Sequence, residues 1–348
     1  MKNSKEIDIA QKLIRCKSIA PKDGGTLRIV EKECKAMGFK CTKLRFSEKG
    51  FDTINNLYAE IGNGKPHFSF AGHVDIVPAD KKEWKVDPFE GKIKNNFLIG
   101  RGACDMKSAI ACFLSAAKNY LGENKNFKGK ISIIITGDEE TYAVNGTKKI
   151  LIWLKKKKVK IDNCLVGEPT NLKVLGDQIK IGRRGGFNGT VEVQGKAGHS
   201  AWPSRTINPI PALMKMLNNI DKKILDKGTK HFQPSIISIT SIDVGNEALN
   251  VIPAKARGSF NIRFNPRHTI KSLTKWIKKE FNKVGFKYKL ETYVSGNAFL
   301  TKPGKFSELI KKCVKKITRR NPKYATDGGT SDARFIKDYT NVVEFGLV

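Results

Sequence analysis

The 348-residue sequence lacks the features that place a chain in a membrane or outside the cell. No apolar run approaches the roughly 20 residues that a transmembrane helix requires, and the charged N-terminus has no apolar segment of the kind found in signal peptides. The seven cysteines form no Cys-x-x-Cys pair, which argues against both a zinc ribbon and a disulfide framework. Internal repeats and low-complexity segments are also missing. We therefore expect a soluble, cytoplasmic protein with reduced thiols and no membrane partner.

Acidic residues are scarce relative to basic ones. The chain has 65 Lys and Arg residues against 33 Asp and Glu residues, which gives a formal net charge of +32. Such a charge is typical of nucleic-acid-binding proteins, but Lys predominates over Arg, and no helix-turn-helix, zinc-finger or RNA-recognition signature is present. We therefore attribute the charge to a Lys-rich surface and expect no nucleic-acid partner. A positive field can still concentrate a small anionic substrate.

The apolar pattern predicts two kinds of structure along the chain. Buried strands at residues 67–73 and 130–136 alternate with helices such as residues 108–120, which indicates an α/β sheet with helices on its faces. Near residue 180 the pattern changes to half-exposed strands with helices at 207–223 and 269–285, in a βαββαβ-like order. The sequence therefore predicts one domain from residues 1–180 and 295–348, and a smaller inserted α+β domain from residues 181–294.

Metal-binding side chains follow the ends of predicted structural elements in the first half of the chain. They are His73 with Asp75, Asp105, the Glu139–Glu140 pair, and Glu168. Each alone could be a structural or surface residue. Ligands of open α/β sheets bind beyond the carboxyl ends of the strands, however, so four such groups together indicate a metal site.

One histidine among several carboxylates suits zinc, cobalt or manganese. There are more carboxylates than one ion needs, which favours two ions about 3.5–4 Å apart that share a bridging carboxylate. In an adjacent Glu pair, one member can bind an ion while its neighbour takes a proton from water. Asp75, two residues beyond His73, can accept the second imidazole N–H.

These motifs give the chain a family resemblance that runs from about residue 5 to 348. The chain resembles the dizinc aminoacylase/carboxypeptidase family of metallo-amidohydrolases in residues 71–78, 100–107, 138–140 and 166–170. Residues 175–177, 182–185, 198–203, 250–253 and 327–332 are most similar to the branch that releases succinate from N-succinyl-LL-2,6-diaminopimelate. The resemblance implies a mixed-sheet, dizinc aminopeptidase-like catalytic domain with an inserted ferredoxin-like dimerisation domain.

The resemblance also implies the metal ligands. Asp105 would bridge two zinc ions per subunit, with cobalt as the alternative metal, and His73 and Glu168 would complete one site. Glu140 would bind the second ion. The family supplies a last histidine ligand shortly after the strand at residues 342–346, but the five histidines are 67, 73, 199, 231 and 268. We therefore expect a truncated C-terminus and weak binding of the second ion.

The remaining roles follow from the same resemblance. Glu139 would be the general base and acid, Asp75 would orient His73, and His199 would reach the partner subunit's active site in a homodimer to stabilise the oxyanion. The substrate, a small anionic N-acyl amino acid, would be held by Arg183, Asn250, Arg263, Gly329 and Thr330. Gly186 and Ala333 depart from the branch pattern, which has Ser and Gly at these positions.

Three alternatives to the desuccinylation reaction remain open at the level of sequence. The chain could instead be an acetylornithine deacetylase, another N-acyl-amino-acid hydrolase or a dipeptidase, each of which acts on a different substrate. The protein could also be a catalytically impaired homologue that serves as a binding or oligomerising protein. A nucleic-acid binder is the third alternative.

Overall fold

The computed structural model describes residues 4–348, which form two compact units. The first holds the described chain up to Ile181 together with Thr301–Ala325 and Ser331–Val348, and the second holds Gly182–Leu300 and Thr326–Thr330. The sequence placed the return to the first domain at residue 295. In the structure the chain leaves the second unit only after Leu300, because Phe299 and Leu300 pair with Arg183 and Gly182.

The described residues form eight α-helices whose apolar residues recur every three or four positions, as in α1, where Ile9 and Leu13 are fully buried. The helices are α1 (Lys5–Arg15), α2 (Thr26–Ala36), α3 (Ser108–Glu123), α4 (Thr147–Lys156), α5 (Ile210–Asp221), α6 (Ile270–Asn282), α7 (Lys305–Thr318) and α8 (Ala333–Ile336). A single π-helical turn, Ala103–Lys107, leads into α3. Helix α6 begins after Thr269, which forms a capping box with Ser272.

Eighteen strands lie in the described chain. They are β1 (Lys40–Glu48), β2 (Phe51–Asn63), β3 (His67–His73), β4 (Lys92–Lys94), β5 (Phe97–Ile99), β6 (Gly129–Thr136), β7 (Asn163–Val166), β8 (Gln178–Lys180), β9 (Gly182–Arg183), β10 (Gly185–Gln194), β11 (Gly198–His199), β12 (Ile236–Asp243), β13 (Val251–Ile252), β14 (Lys255–Phe264), β15 (Tyr288–Gly296), β16 (Phe299–Leu300), β17 (Lys323–Ala325) and β18 (Asn341–Glu344).

An eight-stranded sheet organises the first unit. Its order is β1-β2-β6-β3-β7-β18-β8-β17. The neighbours β6, β3, β7 and β18 are parallel to one another. Antiparallel pairs join β1 to β2, β2 to β6, and β18 to β8, and β17 runs parallel to β8. The predicted mixed α/β sheet is therefore confirmed. Because parallel strands end at one edge of a sheet, the residues that follow β3, β6 and β7 meet there.

The core of the first unit fixes these strand ends. Helices α1, α2 and α3 contribute Leu13, Val30 and Ile110 to one buried cluster, and the sheet contributes Phe70 and Ile133 among others. Each fully buried side chain of this size stabilises the fold by about 1.5–3 kcal/mol. No α-helix in residues 4–348 is both long and apolar enough to cross a bilayer.

The second unit is a four-stranded antiparallel sheet, ordered β12-β14-β10-β15, with α5 and α6 packed on it. The elements follow the predicted order β10-α5-β12-β14-α6-β15. Glycines on β10 make room for aromatic rings of the neighbouring strand. A Cβ at Gly189 would lie 2.2 Å from Cζ of Phe260, and a Cβ at Gly185 would lie 2.2 Å from Cζ of Phe264.

Candidate metal centre

Three predicted ligands of the first unit converge at the sheet edge. Ligand atoms of His73, Asp105 and Glu168 all lie within 4.8 Å of one another, and within residues 4–348 this is the one such set of three metal-binding side chains. His73 ends β3, Glu168 follows β7, and Asp105 lies in the π-helical turn before α3. Nε2 of His73 is 2.9 Å from Oδ1 of Asp105 and 3.6 Å from Oε1 of Glu168.

The chemistry of this set fits a divalent metal ion. One imidazole nitrogen and two carboxylates are ligands that zinc and similar ions accept. The side chains of His73 and Glu168 are 2% and 9% exposed, while that of Asp105 is 48% exposed. The ligand set is therefore anchored in the protein on two sides and open to solvent on the third, as a catalytic metal site requires.

Packing around Met106 explains why two of these ligands follow glycines. A Cβ at Gly72 would lie 2.6 Å from Cε of Met106, and a Cβ at Gly167 would lie 2.8 Å from the same atom. At Gly167 it would also lie 2.7 Å from Cζ of Phe70. The glycines before His73 and Glu168 thus make room for the residue after Asp105. The sequence shows these glycines, but only the fold shows that a larger residue at either position would collide with Met106.

The imidazole of His73 is oriented mainly by a backbone group. Its Nδ1–H donates to the carbonyl oxygen of Asp75 at 2.9 Å, while the Asp75 carboxylate lies 3.5 Å from Nδ1. The sequence predicted the carboxylate as the acceptor. The observed bond leaves Nε2 facing Asp105 and Glu168. Burial lowers the pKa of His73, but the adjacent carboxylates of Asp105, Asp75 and Glu168 outweigh burial and raise this pKa well above its usual value.

The Asp75 carboxylate has a different task, which the sequence did not predict. Its Oδ2 accepts the backbone N–H groups of Glu139 at 2.9 Å and Glu140 at 2.8 Å. Asp138 is also occupied by its own loop, because its carboxylate accepts the N–H groups of Ala143 at 3.1 Å and Asn145 at 2.8 Å. Asp75 therefore positions the Glu pair, and Asp138 shapes the loop after β6.

Burial and the nearby metal-binding residues shift the pKa values of both glutamates of the pair. Burial raises the pKa of Glu139 well above its usual value, the charge of Glu168 adds to this effect, and His73 opposes it. Burial also raises the pKa of Glu140, against the opposing charge of His73. Glu140 lies outside the set of three ligands. A carboxylate with a raised pKa accepts a proton from water more readily than an ordinary one does.

Two further charged residues of the first unit lie beside Glu139. Nη1 of Arg334 is 3.9 Å from Oε1 of Glu139, and Nη2 of Arg334 is 3.8 Å from Oδ1 of Asp332. Both carboxylate oxygens of Asp332 are buried. Asp332 ends the motif at residues 327–332. Arg334 was not predicted as a site residue, because nothing in its local sequence distinguishes it from the other basic residues.

The remaining predicted residues belong to the second unit. His199 is exposed, and its Nε2 lies 3.4 Å from Nδ2 of Asn250 because β11 pairs with β13. Arg183 is buried, and a Cβ at Gly328 would lie 2.9 Å from its Nη1. Gly329 and Thr330 follow Gly328 in the segment that returns to this unit. The second unit therefore brings His199 to Asn250 and Arg183 to the 326–330 segment.

Arg263 lies opposite Gly186, the glycine at which the branch pattern has serine, in the paired strands β14 and β10. A Cβ at Gly186 would lie 3.0 Å from Nη1 of Arg263 and 2.4 Å from Oγ of Ser295. Burial and the charge of Arg263 together lower the pKa of Arg184. Gly186 thus leaves room for the Ser295 hydroxyl, which a serine at position 186 would displace.

Comparison with known proteins gives relatives over almost the whole chain. The family described as Peptidase family M20/M25/M40 matches residues 69–348. Curated proteins named succinyl-diaminopimelate desuccinylase from Parvibaculum lavamentivorans and Pelagibacter ubique are each 51% identical, over 98% and 99% of this chain and 87% and 91% of their own lengths.

Solved structures share the fold at low sequence identity. The M20 family metallo-carboxypeptidase Sso-CP2 from Sulfolobus solfataricus has a TM-score of 0.79 at 19% identity, covering 98% of this chain and 91% of its own. Bacillus subtilis YXEP, described as a dinuclear metal binding peptidase from the M20 family, has a TM-score of 0.67 at 13% identity, covering 98% and 88%.

The resemblance predicted from the sequence is confirmed by these relatives, and with it the enzyme class, a hydrolase. Fold and sequence lead to one conclusion, which is that the chain belongs to peptidase family M20/M25/M40.

Proposed function

We propose that this chain hydrolyses the amide bond of N-succinyl-LL-2,6-diaminopimelate and releases succinate and LL-diaminopimelate for lysine and diaminopimelate biosynthesis. The observation that carries the proposal is the convergence of His73, Asp105 and Glu168 at a sheet edge that also holds Glu139. The 51% identity to desuccinylases over nearly the full chain supports the substrate.

The reaction depends on two divalent ions per subunit, zinc or cobalt. His73, Asp105 and Glu168 would hold the first ion, and Glu140 with a share of Asp105 would hold the second. When bound, such ions act as Lewis acids that polarise the amide carbonyl and make water more acidic.

Glu139 moves the proton. Its carboxylate takes a proton from the attacking water as the water oxygen bonds to the carbonyl carbon. The C–N bond then breaks, and Glu139 delivers the proton to the departing amine nitrogen. Asp75 serves this step indirectly, because it holds the backbone N–H groups of both glutamates.

Residues of the second unit would bind the substrate and its transition state. The chain acts as a homodimer, in which exposed His199 donates a hydrogen bond to the oxyanion in the partner's active site. Arg183 and Arg263 bind substrate carboxylates, since a guanidinium matches a carboxylate with two parallel N–H groups. Asn250, Gly329 and Thr330 complete the binding set.

A substrate comparison tests this function. The purified chain, loaded with zinc or cobalt, is assayed on N-succinyl-LL-2,6-diaminopimelate, on N-acetylornithine and on a dipeptide. The succinylated substrate should give the highest kcat/KM. A higher value for either other substrate would contradict the proposed specificity.

The role of Glu139 is tested in the same assay. Glu139→Gln should retain its ions and lower kcat by about 10²–10⁴-fold, because the amide cannot take a proton from water. Glu90→Gln, a change to a half-exposed residue, is the matched control and should leave kcat unchanged. Loss of ions from Glu139→Gln would show that Glu139 is a ligand instead.

A further inference from the structure

Arg334 lies between two buried carboxylates of the first unit. Its Nη1 is 3.9 Å from Oε1 of Glu139, and its Nη2 is 3.8 Å from Oδ1 of Asp332. The side chains of these three residues are only 11%, 12% and 8% exposed. The two guanidinium nitrogens therefore face different acids, one from the loop after β6 and one from the start of α8.

The guanidinium is held in place by packing. Its Cζ lies 4.5 Å from the centre of the Phe335 ring, and α8 contacts both α4 and β18. Its Nε is buried, and no hydrogen-bond partner for it lies among the described residues. The position of Arg334 is therefore set by helix α8 and the Phe335 ring, so it can act as a fixed charge.

The attraction to Glu139 is electrostatic rather than a hydrogen bond. Distances of 3.8–3.9 Å exceed hydrogen-bond length, but opposite charges at this separation attract strongly when little water screens them. Among the Lys and Arg side chains of residues 4–348, that of Arg334 alone lies within 4 Å of the Glu139 carboxylate. Asp75 fixes the backbone of Glu139 but does not touch this carboxylate.

We propose that Arg334 is a positioning residue for the hydrolysis, which holds the carboxylate of Glu139 in the orientation from which it takes the proton of water. This inference rests on the proposed role of Glu139 as general base. A fixed cation on one side restricts the carboxylate to the rotamer that faces it, and a displacement of about 1 Å in a reacting group can cost about 10²-fold in rate. Asp332 pairs with the other guanidinium nitrogen and keeps it from turning toward solvent.

The test compares Arg334→Met, which removes the charge, with Arg334→Lys, which retains it. Arg334→Met should lower kcat by about 10–10²-fold and change KM by less than about threefold, with the ions retained. Arg334→Lys should give a kcat between those of Arg334→Met and the wild type. Lys337→Met, which removes a nearby cation paired with Asp338, is the control and should leave kcat unchanged.

Two double variants separate positioning from a purely structural role. In the Glu139→Gln background, Arg334→Met should cost nothing further, because Arg334 acts through Glu139. If Arg334 merely neutralised buried Asp332, the Asp332→Asn/Arg334→Met variant would regain wild-type kcat. That recovery, or an Arg334→Met variant with kcat within twofold of wild type, would overturn the inference.

A crystal structure tests the positioning role of Arg334 without any substrate. Metal-loaded wild type should show one Glu139 rotamer, and metal-loaded Arg334→Met should show a shifted or split one. An unchanged rotamer would overturn the positioning role. Failure of the proposed function is seen separately, as a wild type that does not cleave the succinylated substrate or a Glu139→Gln variant with full activity.

Discussion

The buried carboxylate of Asp75 accepts the backbone N–H of Glu139 at 2.9 Å, and the same oxygen accepts the N–H of Glu140 at 2.8 Å. These bonds join the residues beyond β3 to those beyond β6. The backbone carbonyl of Asp75 meanwhile accepts a hydrogen bond from His73. One residue thus aligns a proposed metal ligand and the proposed general base.

Asp75→Asn should therefore impair both catalysis and metal binding. An asparagine can keep its one oxygen on the two N–H groups only if its NH2 group takes the place of Oδ1, which lies 3.5 Å from the protonated Nδ1 of His73, and the negative charge is lost in either orientation. Loss of such a supporting contact typically lowers activity or metal affinity by about 10–100-fold. Steady-state kinetics and calorimetric zinc titration would measure the two effects. Asp8→Asn, at an exposed site on α1, is the control, and full activity in Asp75→Asn would contradict this account.

The two proposed ions should bind with unequal affinity. His73, Asp105 and Glu168 place three ligand atoms within 4.8 Å of one another, whereas Glu140 lies outside this set. A site with three protein ligands including an imidazole holds zinc more tightly than one with two carboxylates. Metal titration should therefore show one tight and one weaker ion per chain. His73→Ala should lose the tight ion and Glu140→Gln the weak one; equal affinities would contradict the assignment.

The close packing at Gly167 predicts a steric effect on the metal site. In Gly167→Ala the new Cβ would lie 2.7 Å from Cζ of Phe70 and 2.8 Å from Cε of Met106, so the Phe70 ring, the Met106 side chain or the backbone beside Glu168 must shift. We expect lower stability by about 1–3 kcal/mol, as for other overpacked cores, and weaker binding of the tight ion. Urea unfolding and zinc titration measure these quantities.

Gly122→Ala is the matched control for this change. A Cβ at Gly122 meets nothing within 4 Å, and Gly122 lies in helix α3, where alanine is favoured over glycine. The control should leave stability unchanged or slightly increase it. Equal effects of the two substitutions would show that the packing around Met106 does not constrain the ligands.

The proposed action of His199 on the partner subunit predicts complementation. His199→Ala and Glu139→Gln chains should each be nearly inactive alone. Mixed dimers would contain some sites in which both groups are intact, so mixing should restore part of the activity. Heterodimers verified by native mass spectrometry that show no recovery would exclude the action in trans.

The second unit should lose stability at low pH through Asp226. Burial alone would raise the pKa of Asp226, but hydrogen bonds from Ser235, Gly228 and Asn265 outweigh it and lower the pKa to about 2. The unfolded-state pKa is about 3.9, so the folded value is the lower one. The ionised carboxylate therefore contributes about 2–3 kcal/mol above pH 4, and this contribution is lost as the pH falls toward 2.

Asp226→Asn tests this contribution. Urea unfolding should show a lower free energy of unfolding than wild type at pH 6, and the difference should shrink as the pH falls from 4 toward 2. His268 also pairs with Asp226, at 3.0 Å, so His268→Gln serves as a comparison that retains the carboxylate. A difference between wild type and Asp226→Asn that does not change with pH would contradict the lowered pKa.

The sequence by itself determined the strands and the types of ligand. The predicted strands at 67–73 and 130–136 coincide with β3 and with all but the first residue of β6, because short buried strands read as continuous apolar runs. His73 and Glu168 could be singled out because metal-binding side chains stand next to such runs. The inserted unit was recognisable from its alternating strands, but its end was placed at residue 294, since the short pairing of β16 with β9 leaves no periodic signal.

Only the tertiary structure decided how these residues support one another. The bond from Glu139 to Asp75 joins positions 64 apart in sequence, and the Arg334 pair with Glu139 joins the loop after β6 to the start of α8. Such contacts depend on the order of strands in the sheet and on the packing of α8, neither of which local periodicity encodes. The need for glycine beside Met106 is also a property of packing, because it arises where three separate segments meet.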